Sequence, residues 1–121
     1  MASRNLGIVM GHVGHTPRLE YTRNQTGVAR FSVATDWRVK HPDGQIETKT
    51  EWHNCIAFGK TAELICEYVQ RGNLIYVEGP MHTRSYTGRD GTQKTICELH
   101  VEKVQFLRSQ QGGDAAADRQ A

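Results

Sequence analysis

Cysteine, proline and net charge are all scarce in this chain of 121 residues, and each scarcity closes off a class of reading. The three cysteines, Cys55, Cys66 and Cys97, stand far apart. An odd, widely spaced set builds no disulfide framework, so reduced cytosolic thiols are expected. Neither a CxxC nor an HxxxH pair occurs, which removes the usual zinc-ligand spacings. No apolar run approaches the length of a membrane span, and the opening MASRNLGIVMGHVG lacks the charged and then apolar layout of a secretory signal. The Asn24-Gln25-Thr26 sequon is therefore read as an accident of composition. Gly59-Lys60-Thr61 resembles part of a phosphate loop but lacks its earlier glycine. A net charge of +2, from 15 Lys+Arg against 13 Asp+Glu, excludes a broad polybasic surface.

What is present fits one domain. Residues 109–121 (SQQGGDAAADRQA) carry no large apolar side chain and read as a disordered tail, leaving residues 3–108 as the folded unit. Within it, strand-like runs alternate with turns. Leu6–Val13 is short and apolar. In Val28–Trp37, Phe31, Val33, Thr35 and Trp37 fall on one face and Arg30, Ser32 and Ala34 on the other. His41-Pro42-Asp43-Gly44 is a turn, and Ile46–Phe58 returns from it as a long hairpin arm. Leu74–Tyr86 and Gln93–Leu107 form a second long hairpin. Only Lys60–Arg71 breaks the pattern: Leu64, Ile65, Tyr68 and Val69 recur at helical spacing, with Gly72 placed as a cap. Five strands with one helix between the third and fourth is the order of an OB-fold barrel, mainly β, here with long hairpin extensions. A small α+β sheet domain fits the same string.

Catalytic signals are thin. His53 and Cys55 share a strand face, but a nucleophile pair needs a third, orienting group, and the sequence identifies none. His12 and His15 with Cys66 or Cys97 offer at most an irregular metal set. Paired carboxylates are absent from any obvious site, and no enzyme activity is expected.

Aromatics interleaved with cations carry more information. Trp37 stands beside Arg38 and Lys40; Trp52 and Phe58 are spaced to share a face; Tyr86 follows Arg84 and precedes Arg89. Flat rings stack on unpaired bases of any sequence while cations hold phosphates. Taken alone, Phe58 reads as core. Trp37 and Tyr86, set among charged and turn-forming residues, read as functional. Tyr21, Phe31, Tyr68, Tyr76 and Phe106 are assigned to core or interface.

These residues resemble the bacterial single-stranded DNA-binding protein family from about Asn5 to Leu107. The resemblance rests on Gly11-His12-Val13-Gly14, Val28–Thr35, Thr50-Glu51-Trp52-His53, Phe58-Gly59-Lys60, Ala62-Glu63-Leu64, Tyr76-Val77-Glu78-Gly79 and Thr83-Arg84. It implies an OB-fold barrel that coats single-stranded DNA in replication, recombination and repair, usually as a homotetramer, without metal or other cofactor. It implies stacking by Trp37, Trp52, Phe58 and Tyr86, which moves Phe58 from core to base contact. Phosphate contacts are implied for Arg30, Arg38, Lys40, Lys49, Lys60, Arg84, Arg89 and Lys94, and a subunit-interface role for His53. The expected setting is the bacterial cytoplasm, in association with the nucleoid, and no membrane partner is expected.

Three departures stand out. Tyr86 replaces a frequent Trp, and Leu6-Gly7 replaces a typical Lys-Val, putting glycine in the first strand. The chain ends in Asp118-Arg119-Gln120-Ala121, without the acidic, hydrophobic tip by which members recruit repair and replication enzymes, so recruitment by that route is not expected. Rival readings are a primosomal accessory barrel acting as a scaffold, and a metal-dependent hydrolase using His12, His15 and the cysteines. The charge balance also hides an asymmetry: segments 16–30, 37–49 and 82–94 hold nine basic residues against four acidic.

Overall fold

The computed structural model describes residues 2–108, so the tail expected at 109–121 lies outside the described residues. The chain forms β1 (Gly7–Val13), β2 (Arg18–Tyr21), β3 (Gly27–Lys40), β4 (Ile46–Phe58), α1 (Gly59–Tyr68), β5 (Leu74–Gly79), β6 (Met81–Thr87), β7 (Gln93–His100) and β8 (Lys103–Arg108). The sheet runs β6-β7-β4-β3-β1-β5-β8, with β2 paired to β3 off this path.

Connectivity forces that sheet to curl. β5 and β6 lie far apart in its order, yet Pro80 alone separates them along the chain; only Val101 and Glu102 join β7 to β8. The two ends must therefore meet. Across the seam the His100 N–H donates to the Pro80 carbonyl at 2.9 Å, and the Glu102 N–H to the Glu78 carbonyl at 2.8 Å. The result is a barrel with the helix between its third and fourth long runs, the OB-fold order.

The five long runs are thus cut into more strands than their sequence pattern predicts. Pro80 has no N–H to give a ladder, which splits Leu74–Tyr86 into β5 and β6. Gln93–Leu107 breaks because Val101 and Glu102 donate instead to Ile56 and Glu78. The helix also stops early. Val69 takes extended backbone (φ −107, ψ 132) and turns inward, while Gly72 adopts φ +91 in the following turn rather than capping the helix.

The interior collects alternate residues: Phe31 and Val33 of β3, Cys55 and Ala57 of β4, Val77 of β5 and Leu99 of β7, closed over by Ala62 and Ile65 of α1. Of the aromatics assigned to core or interface, only Phe31 is buried. Phe106 packs against the core from outside, Tyr76 is half-buried, and Tyr21 and Tyr68 are exposed. Among the described residues no helix is long and apolar enough to cross a membrane.

All three cysteines are free. Burial, and then the negative charge of Glu98, push the Cys55 thiol up to about 12, whereas Cys97 is exposed. A maleimide is expected to label Cys97 in the native protein and to reach Cys55 only on unfolding, because the thiolate is the reactive species. Peptide mapping of the labelled protein checks this; early modification of Cys55 would contradict its burial.

Candidate nucleic-acid interface

β3 and β4 pair without interruption from Val28↔Phe58 to Lys40↔Ile46. Side chains alternate across a strand, so the core residues Phe31, Val33, Cys55 and Ala57 fix the inner face, and the even-numbered positions of both strands take the other face, where Val28 and Ile56 are nonetheless buried. Trp52 and Phe58 therefore share the outer face with Arg30, Arg38 and Lys40. Parallel pairing of Asn54 with Glu98 and Ile56 with His100 brings β7 into the same face. β6 follows, since His82, Arg84 and Tyr86 lie opposite Glu98, Ile96 and Lys94. One curved surface thus carries Trp52, Phe58 and Tyr86 together with Arg30, Arg38, Lys40, Arg84 and Lys94.

The rings on it are open to solvent: Trp52 is 53 % exposed, Phe58 45 % and Tyr86 42 %. Exposed aromatics clustered on one face mark an interaction surface. Trp52 is seated by the absence of a side chain at Gly14, where a Cβ would come within 2.5 Å of the indole and 2.9 Å of the Ser32 hydroxyl.

A buried carboxylate organises the cations. Glu98 is 4 % exposed. It accepts from Arg84 Nε at 3.0 Å and Nη2 at 3.5 Å, and Arg30 Nε lies 3.7 Å from its second oxygen. The hydrogen bond and then the charge of Glu98 hold the Arg84 guanidinium above its ordinary range. Arg84 also lies 5.7 Å from the centre of the Tyr86 ring. Beside this group Phe58, His100 and His82 form a row, with ring centres 5.7 Å and then 4.1 Å apart.

Not every expected residue joins that surface. Trp37 pairs with Lys49 on the opposite side of the β3–β4 hairpin, beyond the end of the core. His53 is also on that side, half-buried, with its Nε2 2.8 Å from the Thr35 hydroxyl. Arg89 sits at the tip of the β6–β7 hairpin, where the Thr92 hydroxyl and N–H both donate to Asp90 and hold its carboxyl below the usual range. Lys60 opens α1. Arg38, Lys40, Lys49, Lys60, Arg89 and Lys94 are exposed and, among the described residues, engaged in no ion pair.

Glu98, His82 and His100 escaped the sequence reading. The alternation Ile96, Glu98, His100 already marks one face of β7, but the arginines that explain Glu98 come from two other strands. The irregular metal set does not assemble: among the described residues no three His, Cys, Asp or Glu side chains gather as ligands.

The single-strand binding protein family matches residues 4–107. A single-stranded DNA-binding protein of Xanthomonas axonopodis pv. citri is 36 % identical over 103 residues, covering 85 % of this chain and 57 % of that protein. The Neisseria meningitidis serogroup A protein of the same name is 35 % identical over 115 residues, covering 93 % and 66 %. The chain thus spans less than two thirds of the length of these curated relatives. The solved Plasmodium falciparum SSB complex with ssDNA superposes with a TM-score of 0.79 at 27 % identity, covering 88 % of this chain and 97 % of its own. With the OB barrel matched in structure and nearly all described residues matched in sequence, the chain belongs to the single-strand binding protein family.

Proposed function

We propose that this protein binds single-stranded DNA without regard to sequence, protecting it in replication, recombination and repair. One observation carries the reading: exposed rings of Trp52, Phe58 and Tyr86 share a sheet face with Arg30, Arg38, Lys40, Arg84 and Lys94. Unstacked bases lie on the rings, each worth about 1–3 kcal/mol, while the cations neutralise phosphates. A strand crossing the edge of the β3–β4 hairpin meets Trp37 and Lys49 on its reverse, and Lys60 and Arg89 extend the path at either end. Residues 3–108 constitute the binding domain. The protein works by binding alone, with no metal or nucleotide, in the bacterial cytoplasm on nucleoid DNA. It acts as a homotetramer, with His53 in a subunit interface.

Titration with oligo(dT), followed by tryptophan fluorescence, tests this directly. Quenching is expected at low salt, and log affinity should fall linearly with log salt, by about 0.7 per phosphate neutralised. No quenching at low salt would sink the reading. Sedimentation checks the assembly: a dimer with weak DNA affinity would favour the scaffold role of a primosomal accessory protein.

A further inference from the structure

His82 and His100 occupy the outer face between Phe58 and Arg84, and neither belongs to the stacking or phosphate-binding sets above. His82 is exposed and lies on β6 opposite Glu98. His100 is half-buried and ends β7 beside Ile56. Their ring centres are 4.1 Å apart, closer than either ring is to any other aromatic partner on this face. Among the described residues no side-chain hydrogen bond engages either imidazole, which leaves their ring nitrogens available to a ligand. Phe58 lies at one end of the pair; Arg84, two residues along β6, and then Tyr86 continue the row at the other.

An imidazole has two states useful to a polynucleotide. Neutral, it is a flat ring on which a base can lie; protonated, it adds a charge and donors at both nitrogens for phosphate. Two imidazoles this close, tilted 43° to each other, resist taking up two protons at once, because like charges at such spacing repel. Burial and the nearness of His82 lower the tendency of His100 to protonate, while Glu98 works in the opposite direction. Arg84 on β6 and Arg30 on β3 are both drawn to Glu98, while along the chain Lys60 follows Phe58 by two residues and Glu102 follows His100 by two. A phosphate arriving over the rings supplies the negative charge that favours the protonated form.

We infer that His82 and His100, continuous with Phe58, form a further nucleotide subsite whose hold on DNA strengthens as pH falls. The inference rests on the single-stranded DNA reading above. Its sign follows from linkage. A group that binds protons more tightly in the complex makes the complex more stable as protons become available, between the bound and free pKa values. Each unit by which DNA raises the imidazole pKa corresponds to about a tenfold gain in affinity.

The test is the affinity for oligo(dT) at constant ionic strength from about pH 5 to pH 8, the range in which imidazole titrates. The proteins compared are the wild type, His82→Gln, His100→Gln, His82→Arg and Trp52→Ala. The wild type is expected to gain about tenfold or more towards the acid end, and both glutamine variants to flatten that rise. His82→Arg, with a permanent charge, should bind more tightly than the wild type at pH 8 and vary less with pH. Trp52→Ala should weaken binding throughout while retaining the slope. Because His82 is exposed, its variants are expected to melt like the wild type, so a flattened profile cannot be blamed on unfolding. If the glutamine variants keep the wild-type slope, or the wild type shows none, the subsite is refuted. Absence of quenching at every pH overturns the DNA reading and this inference with it.

Discussion

A Trp52→Ala, Phe58→Ala double variant is expected to lose about 2–6 kcal/mol of affinity for oligo(dT), a fall of at least about thirtyfold, while keeping its fold. The size follows from two stacked bases at about 1–3 kcal/mol each. Retention of the fold follows from exposure, since both rings stand largely in solvent and neither belongs to the core. Tyr21→Ala is the control: this ring is also exposed but lies on β2, away from the surface shared by β4, β6 and β7. Fluorescence of the remaining Trp37, or competition with a labelled oligonucleotide, reports the affinities. A double variant that binds as tightly as the wild type would leave the outer face without its principal contacts.

The second large effect concerns stability. Gly79→Ala is expected to cost about 3 kcal/mol, at the upper end of what overpacking does, and to lower the melting midpoint by more than about 12 °C. Gly79 ends β5 opposite Gly7, at the seam where the sheet meets itself. A Cβ there would collide with the backbone carbonyl of His100 and come within 3.1 Å of the Glu102 nitrogen. Neither neighbour is the free end of a side chain, so relief requires moving β7 and the link to β8. Gly27→Ala is the comparison, since its nearest neighbour is the end of the Leu19 side chain at 3.2 Å, which can turn aside. Matching midpoints for the Gly79 variant and the wild type would contradict the closure geometry.

Much of this molecule was legible in its sequence, for reasons that differ from residue to residue. Alternation in Val28–Trp37 and the even spacing of Trp52 and Phe58 reported which residues share a strand face, because a strand has a period of two. How the two strands relate was not legible, because that depends on register, and register is set by the turn and by the core together. Trp37 joined Trp52 in the expected stacking set only through the family resemblance, and pairing with Lys49 puts it on the reverse of the hairpin. Leu74–Tyr86 read as one run although Pro80 is itself a strand-breaking signal, whereas the break after His100 arises from donation to Ile56 and Glu78, distant in sequence. Glu98 was hidden for the same reason: its meaning lies in Arg84 and Arg30, on separate strands. The exposure of Phe58 came only from the family resemblance, since a phenylalanine beside Ala57 and Ile56 reads locally as core.

The unbroken ladder of β3 and β4 also bears on how such a chain can vary in length. Thirteen successive pairs hold the hairpin in one phase, so a single residue gained or lost between Trp52 and Phe58 would turn one of those rings to the other side of the sheet. Two residues would restore the phase, and changes at the tip, between Lys40 and Ile46, would leave it untouched. Insertions and deletions compatible with binding are thus confined to the tip or to even steps along the arms, a restriction imposed by parity alone.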